Sequence, residues 1–560
     1  MKIYKTLVFA AAVLPLAFAS CGDSLLDELN ANTEVSNGDL MVAANYEQAA
    51  GMFLTAQQNL RAIDPNTSQP HKYQVQCNIH IDNYAGYMAG TQNFGGNLPT
   101  TYAYFKDYAE SPKATFFTLA QAALPVMRSA DTLGLKEIGA MCNIMYCYSA
   151  LELSDVYGPF PWWDYKQDNQ ESPLTYTPMP EIYDSLFMNL RSARDILMNF
   201  SNTSSEHQDS INTLLQEFDK VCGADVDQWI RFSNTIRLRM AIRMSNVEPD
   251  KAKTEAQSAI QDGLIRRTIE YTGDDGRPNP LWAISENWDD TRLNASMENI
   301  MKRLNFPLMS VWFSNNIGDI QDADGNIAMP MSTEIVGVRG GISLSPRDAA
   351  NQYVNFSGLT GDFANKRVAI LKYSEALFME AEADLRWEVG TLLASRLYQN
   401  GIQAMFEENN IAATSDDYRN YYAQEAADTS IDYVDPSNPL NNIAGELTIG
   451  VQWNNSDDDR TKLEKIITQK WLANFPQGLE AWTDLRRTGY PRIFMNDDIG
   501  DGSLDSYKLI RRIPWDASDA SLAEDINTTG IEALGGPNLE RTYLWWDVED
   551  PSGLSDNRRF

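Results

Sequence analysis

Apolar side chains recur every three to four residues over several long stretches, which is the spacing of one face of an α-helix. The clearest stretch runs from Ile138 to Val156 and is stopped by Gly158 and Pro159. Further helices are predicted at 229–244, from Pro249 to 260, and at 370–385, 463–475 and 479–487. Gly489 and then Pro491 mark the end of the last of these. The pattern predicts a mostly α-helical protein.

Two long polar stretches separate these helices. Residues 266–296 and 314–365 are rich in Gly, Asn, Asp and Pro. Loops of that length in a compact protein usually have a function or contain short strands of their own. We therefore expect long loops with a few short strands between the helices.

Aromatic side chains lie among amides and carboxylates in two loop-rich regions, 82–108 and 281–313. Sugar rings pack their C–H faces on flat aromatic rings, while amides and carboxylates bind the hydroxyl groups. We predict that some rings of a set of six form an exposed arc that binds a ligand. The set is Tyr84, Tyr102, Tyr104, Trp282, Trp288 and Trp312. For each single ring the alternative is packing in the core.

The first twenty residues have the pattern of a signal peptide. Lys2 and Lys5 precede an apolar run from Leu7 to Ala19 that is too short to span a bilayer. The run ends in AFASC, which resembles a bacterial lipobox with Phe18 in place of the usual Leu. The resemblance implies cleavage before Cys21 and its acylation, which would anchor the protein in a membrane. A plain secreted protein is the alternative.

Charge and motifs argue against several function classes. The net charge of −32 opposes binding to nucleic acid. No CxxC, HExxH, GxSxG or phosphate-binding glycine motif occurs, so we expect no metal, no cofactor and no catalytic residues. Besides Cys21, four cysteines are expected to be buried thiols: Cys77, Cys142, Cys147 and Cys222.

Three groups of charged residues could suggest a catalytic or anion-binding site. Paired carboxylates occur in glycosidases, but we predict a solvated helix face for Glu375, Glu380, Glu382 and Asp384. We expect Arg237, Arg239 and Arg243 to support neighbouring acidic helices. Asp484, Arg486 and Arg487 are expected to form ion pairs at a capped helix end.

Four segments together resemble the SusD/RagB family. They are EIGAMCNIMYCYSALELSDVYGPFPWW (137–163), QWIRFSNTIRLRMAIRM (228–244), ILKYSEALFMEAEADLR (370–386), and KIITQKWLANFPQGLEAWTDLRRTG (465–489) with YKLIRRIPWDASDASLAEDIN (507–527). The Asp-Leu-Arg-Arg-Thr-Gly run and the later Arg-Ile-Pro are the most specific parts. The chain departs from many members at Phe475-Pro-Gln-Gly, which affects the scaffold only.

The resemblance implies one SusD-like domain over 21–560, built from helix pairs that resemble tetratricopeptide units. Residues 21–45 would be a flexible tether. It also implies a lipid-anchored protein of the cell outer membrane, facing the exterior. Such a protein binds an oligosaccharide or peptide and passes it to a SusC-type TonB-dependent transporter. The ligand site in the family is built from regions that resemble 82–108 and 281–313.

Two other functions remain as alternatives. A surface glycosidase or peptidase would need an activated nucleophile or a metal, and the sequence shows no such motif. A scaffold of helical repeats that binds only protein partners is the second alternative.

Overall fold

Helices make up most of the chain that the computed structural model describes, which is residues 41–60, 70–92, 111–273, 276–342, 344, 351–494 and 509–559. In chain order the helices are α1 (Tyr46–Gln58), α2 (His71–Tyr73, continued by the π-helical residues Gln74–Asp82), α3 (Ser111–Leu133), α4 (Lys136–Tyr157), α5 (Trp162–Lys166), α6 (Met179–Met198), α7 (Ser205–Phe218), α8 (Val226–Arg243), α9 (Pro249–Asp262), α10 (Pro280–Glu286), α11 (Ala295–Arg303), α12 (Met309–Trp312), α13 (Tyr373–Trp387), α14 (Ala394–Glu407), α15 (Asp416–Tyr422), α16 (Asp459–Asn474), α17 (Gly478–Thr488), α18 (Ala520–Asp525) and α19 (Ile531–Leu534). The expectation of a mostly helical protein is confirmed.

The strands are short and pair two by two. They are β1 (Met88–Gly90), β2 (Ile269–Glu270), β3 (Thr291–Leu293), β4 (Phe313–Asn316), β5 (Ile320–Gln321), β6 (Ile327–Met329), β7 (Ser357–Leu359) and β8 (Ala369–Leu371). The antiparallel pairs are β1 with β3, β2 with β8, β4 with β7, and β5 with β6. As predicted, the long polar stretches contain short strands.

The predicted helices are found, with small differences at their ends. Helix α17 ends at Thr488 and is followed by Gly489, whose φ of 78° is left-handed, as expected for a glycine after a helix. Ile370 was assigned to a helix, but it lies on β8 and α13 begins three residues later. Helix α10 forms inside the predicted loop 266–296, where Asn279 accepts a hydrogen bond from Leu281 N and Pro280 occupies the first turn.

The N-terminal predictions lie mostly outside the described residues. This applies to the signal peptide 1–20, to Cys21 and to residues 21–40 of the predicted tether. Ala43 is already buried, and its backbone N–H donates to the Pro125 carbonyl at 3.3 Å. The chain therefore packs against the helices before residue 45, which is the predicted end of the tether.

Consecutive helices pack as pairs. In two of these pairs a glycine lies at the contact between the helices. Helix α3 packs on α4, and α13 packs on α14. A β-carbon on Gly139 of α4 would lie 2.5 Å from Cβ of Ala130 on α3. One on Gly401 of α14 would lie 2.7 Å from the Phe378 ring on α13. A methyl group therefore cannot be added at either contact unless the helices move apart.

We expect Gly401→Ala to destabilise the protein by about 1–3 kcal/mol, because the added methyl overpacks the α13–α14 contact. Gly51 on α1 is exposed, and a β-carbon there would meet no atom within 4 Å. The matched control Gly51→Ala should therefore gain about 0.5–1 kcal/mol from helix propensity. Denaturant unfolding measures both changes. Equal effects of the two variants would show that the helices are not in close contact at Gly401.

Buried ion pairs connect five helices in the interior. Arg239 of α8 donates to both carboxylate oxygens of Glu375 on α13, at 3.0 and 2.8 Å. Arg243, also on α8, donates to Glu480 of α17 at 2.6 Å and to Asp155 of α4. All these side chains are almost completely buried. The network therefore holds α4, α13 and α17 around α8.

A second set of pairs joins α13 to α16 and α17. Arg487 donates to both oxygens of Glu382, at 2.5 and 2.8 Å, and to Asp484 at 3.0 Å. Asp484 also pairs with Lys470 of α16 at 2.8 Å. Burial opposes ionisation, but Lys470 and Arg487 lower the pKa of Asp484 to about 2. These carboxylates therefore remain charged at neutral pH although they lack contact with water.

The expected roles of these charged residues are partly confirmed. Arg237, Arg239 and Arg243 pair with acidic residues of neighbouring helices, as predicted. The ion pairs expected at Asp484 and Arg487 are also present, while Arg486 lies with its guanidinium 3.6 Å from the Trp482 ring centroid. The solvated face predicted for α13 is wrong, because Glu375, Glu380 and Glu382 are buried. Their charges are compensated by arginines and by hydrogen bonds from other segments.

We expect Glu382→Gln to reduce the free energy of unfolding by about 3–5 kcal/mol, because Arg487 would stay buried with a weaker partner. The control Asp416→Asn removes an exposed pair, Arg419–Asp416, and should cost at most about 1 kcal/mol. Denaturant midpoints provide the comparison. Similar midpoints for the two variants would contradict the structural role of the network.

Candidate functional site

The pairing of β1 with β3 brings the two predicted aromatic regions together. Met88 lies opposite Leu293 and Gly90 lies opposite Thr291. Residues 82–92 thus lie beside residues 281–293, although about two hundred positions separate them in sequence. The structure therefore joins the parts of these regions that it describes.

The side chain of Arg292 holds this strand pair in place. Its side chain is fully buried and donates to the backbone carbonyls of Val354, at 2.9 Å, and of Ser285. It also pairs with the partly exposed carboxylate of Asp289 at 2.7 Å. Asp289 has a left-handed φ of 58°, which turns the chain between Trp288 and β3. The anchor thus fixes the short loop that carries Trp288.

A carboxylate with two amide partners lies next to this turn. Asp290 accepts hydrogen bonds from the side-chain amides of Gln74, at 2.8 Å, and Gln92, at 2.5 Å. Asp290 and Gln74 are buried, and Gln92 is partly exposed. Amide and carboxylate groups held in this way can bind hydroxyl groups without first reorganising.

Trp288 is partly exposed and packs against His71, with 4.7 Å between the ring centroids. His71 begins α2 and is exposed. We use the term Trp288 site for Trp288, His71, Gln74, Gln92, Asp289 and Asp290. An aromatic ring beside fixed polar groups suits a ligand with both apolar faces and hydroxyl groups.

Trp282 lies on α10, partly buried against the core. Its indole Nε1 is buried and has no hydrogen-bond partner among the residues that the structure describes. A role for Trp282 in ligand binding stays a prediction.

Two of the predicted rings belong to the core. Tyr84 is fully buried beside the Trp482 ring, at 5.4 Å between centroids. Trp312 is 1% exposed and donates its indole N–H to Asn409 at 2.8 Å. The prediction of Tyr84 and Trp312 as members of the exposed arc is wrong, because both rings are buried. Tyr102 and Tyr104 lie outside the described residues.

The contribution of α2 to this site is not predicted from the sequence. Neither His71 nor Gln74 belongs to a recognisable motif, so the sequence alone does not single them out. Both residues precede the region 82–108. The spacing of apolar residues cannot show that the π-helical segment turns Gln74 toward Asp290. The only available signal was the polar character of the stretch around His71.

The described residues contain no group of three or more His, Cys, Asp or Glu side chains placed to hold a metal ion. Within the same residues, no helix is both long and apolar enough to cross a membrane. Cys142, Cys147 and Cys222 are buried thiols, as predicted, whereas Cys77 is partly exposed. The Cys77 prediction is therefore wrong, since this thiol lies on the wall of a cavity.

Comparison with known proteins identifies the class. A family model described as SusD-like, Susd and RagB outer membrane lipoprotein, matches residues 28–547. This chain belongs to the SusD/RagB family. A comparison with curated proteins finds no match.

Solved structures share the fold. One is a chitin-binding SusD homolog from Flavobacterium johnsoniae, 28% identical, with a TM-score of 0.77 over 90% of this chain and 99% of that chain. Another is a SusD homolog from Bacteroides vulgatus, 25% identical, with a TM-score of 0.77 over 90% and 98%. A SusD-like protein from Bacteroides thetaiotaomicron is 25% identical, with a TM-score of 0.73 over 90% and 99%.

Proposed function

We propose that this protein is a lipid-anchored, surface-exposed outer-membrane protein that binds a glycan and passes it to a SusC-type TonB-dependent transporter. The observation that carries the proposal is the family match over residues 28–547. A relative that is 28% identical over nearly its full length is described as chitin-binding, which makes a glycan the first ligand to test. The protein would bind its ligand without changing it.

The Trp288 site is the proposed place of binding. Trp288 offers a partly exposed ring, and Asp290 holds two amides beside it. A pyranose ring could pack a C–H face on the indole while its hydroxyl groups meet the amides and Asp289. The buried side chain of Arg292 holds the loop that carries Trp288, so the site would be formed before the ligand binds.

We expect Trp288→Ala to weaken binding of chitooligosaccharides by about 5- to 150-fold. This corresponds to the loss of about 1–3 kcal/mol from one stacked ring, by analogy with base stacking. The matched control is Trp163→Ala, which removes an indole that is 44% exposed on α5 and donates to Glu181. Calorimetry should show normal binding by the control, and both variants should melt close to wild type.

Two results would contradict this site. One is normal binding by the Trp288→Ala variant when the wild-type protein binds the oligosaccharide. The other is an equal loss in both variants. Recovery of shortened oligosaccharides after incubation would favour the glycosidase alternative instead.

Anchoring and partnership form the second part of the proposal. Cys21 would carry the acyl chains, because AFASC resembles a lipobox. We expect Cys21→Ala to lose the acyl label and leave the outer-membrane fraction of the native cells. Ser20→Ala keeps the cysteine and a small residue before it, so it should remain anchored. Mild detergent extraction of the wild-type protein should recover a TonB-dependent barrel, and failure to do so would argue against the transporter as partner.

A further inference from the structure

A cavity of about 640 Å³ shares no lining residue with the Trp288 site, although Tyr73 and Cys77 on its wall belong to α2, as do His71 and Gln74. This volume is typical of sites for small organic ligands. Its apolar wall includes Trp312, Phe363 and Phe475, and its polar wall includes Lys366, Glu270 and Glu408. Cys77 also lies on the wall. None of these residues takes part in the glycan site proposed above.

Lys366 is the most informative group in this cavity. Its ammonium group has three N–H donors, yet within the described chain its one hydrogen-bond acceptor is Oδ1 of Asn409. That oxygen is neutral and also accepts the indole N–H of Trp312. No carboxylate of the described residues lies within 4 Å of the Lys366 ammonium, whereas Arg239 and Arg487 each have two.

The other charges of the cavity are already engaged. Lys372 donates to the carbonyls of Ala473, at 2.7 Å, and Phe475, at 2.6 Å. Glu408 accepts from hydroxyl groups of Thr268, at 2.6 Å, and Ser374, at 2.7 Å. These bonds keep both groups in place within the cavity wall. Lys366 therefore has donors left for a ligand.

Glu270 and Arg367 lie at the cavity rim. They are 3.9 Å apart and both are substantially exposed. Glu270 favours the charged form of Lys366, but it pairs with Arg367 and lies beyond ion-pair distance from the Lys366 ammonium. Asp362, the remaining acidic residue of the lining, is also exposed.

We propose that this cavity is a second binding site, for a small acidic sugar whose carboxylate pairs with the ammonium group of Lys366. The carboxylate would accept hydrogen bonds from the N–H groups for which the described residues supply no acceptor. The amides of Asn365 and Asn410, which line the cavity and are exposed, could meet the hydroxyl groups of the sugar. A cation beside exposed amides fits a uronic acid better than a neutral sugar.

The pH dependence of binding follows from the surroundings of Lys366. Burial, and then the charge of Lys372, lower the pKa of Lys366 to about 8, against the opposing effect of Glu408 and Glu270. A bound carboxylate would raise that pKa again, so binding takes up a proton between the two values. We therefore expect affinity to be constant below about pH 8 and to fall at higher pH.

Cys77 allows this proposal to be tested on the full chain. The thiols of Cys142, Cys147 and Cys222 are fully buried, and mass spectrometry of the Cys77 peptide separates its alkylation from that of Cys21. We expect D-glucuronate to slow iodoacetamide alkylation of Cys77 and D-glucose to have no effect. Lys366→Gln should need at least about tenfold more glucuronate for the same protection. Glucuronate should still protect Cys77 in Lys366→Arg, which keeps the charge. It should also protect Cys77 in Trp288→Ala, which leaves the residues of the cavity unchanged.

Equilibrium dialysis of labelled glucuronate against the wild-type and Lys366→Gln proteins at pH 7 and pH 9 provides a second readout, independent of thiol reactivity. We expect the wild-type protein to lose affinity at pH 9. Lys366→Gln should bind weakly at both values. The proposal is overturned if glucuronate does not bind, if glucose binds equally well, or if Lys366→Gln binds like wild type.

Discussion

The buried ion pairs of α8, α13 and α17 are the constraint on which the rest of the structure depends. Removing a charge from water costs several kcal/mol, and only a well-placed counter-charge offsets that cost. Arg239, Arg243 and Arg487 each need carboxylates from other helices at hydrogen-bond distance. One arrangement of α4, α8, α13 and α17 satisfies them together, and a shifted packing would leave a charge buried alone. The network therefore restricts how these helices can pack.

This rigid interior supports surfaces that are built from short elements. Two-stranded pairs such as β1–β3 are too small to be stable by themselves. Here β1 follows a segment packed on α17, and β3 continues directly into α11. Arg292 then fixes the loop before β3 by donating to the Ser285 carbonyl and to the Asp289 carboxylate. Trp288 is thus held by the scaffold, which is how a short loop can present a preformed binding surface.

Cationic side chains have two different surroundings in this acidic chain. In the network, arginines are neutralised by carboxylates of the protein itself. In the cavity, Lys366 has only an amide oxygen as acceptor within the described chain, and burial lowers its pKa. A partly desolvated cation with no carboxylate at ion-pair distance lowers stability, and a bound anion would offset that cost. This difference separates structural charges from a candidate binding group.

Helical periodicity by itself determined the positions of α4, α8, α9, α13, α16 and α17, and Gly158 and Gly489 determined two of their ends, because these are local properties of the backbone. The four family-like segments also determined the family. Periodicity could not decide burial. Glu375 and Glu382 look like a solvated face until the arginines of α8 and α17 lie against them. Tyr84 and Trp312 resemble the partly exposed Trp288 in sequence but are covered by residues distant in the chain, such as Trp482 and Phe475. Only tertiary packing decides which side chains lose contact with water, since that depends on neighbours far away in sequence.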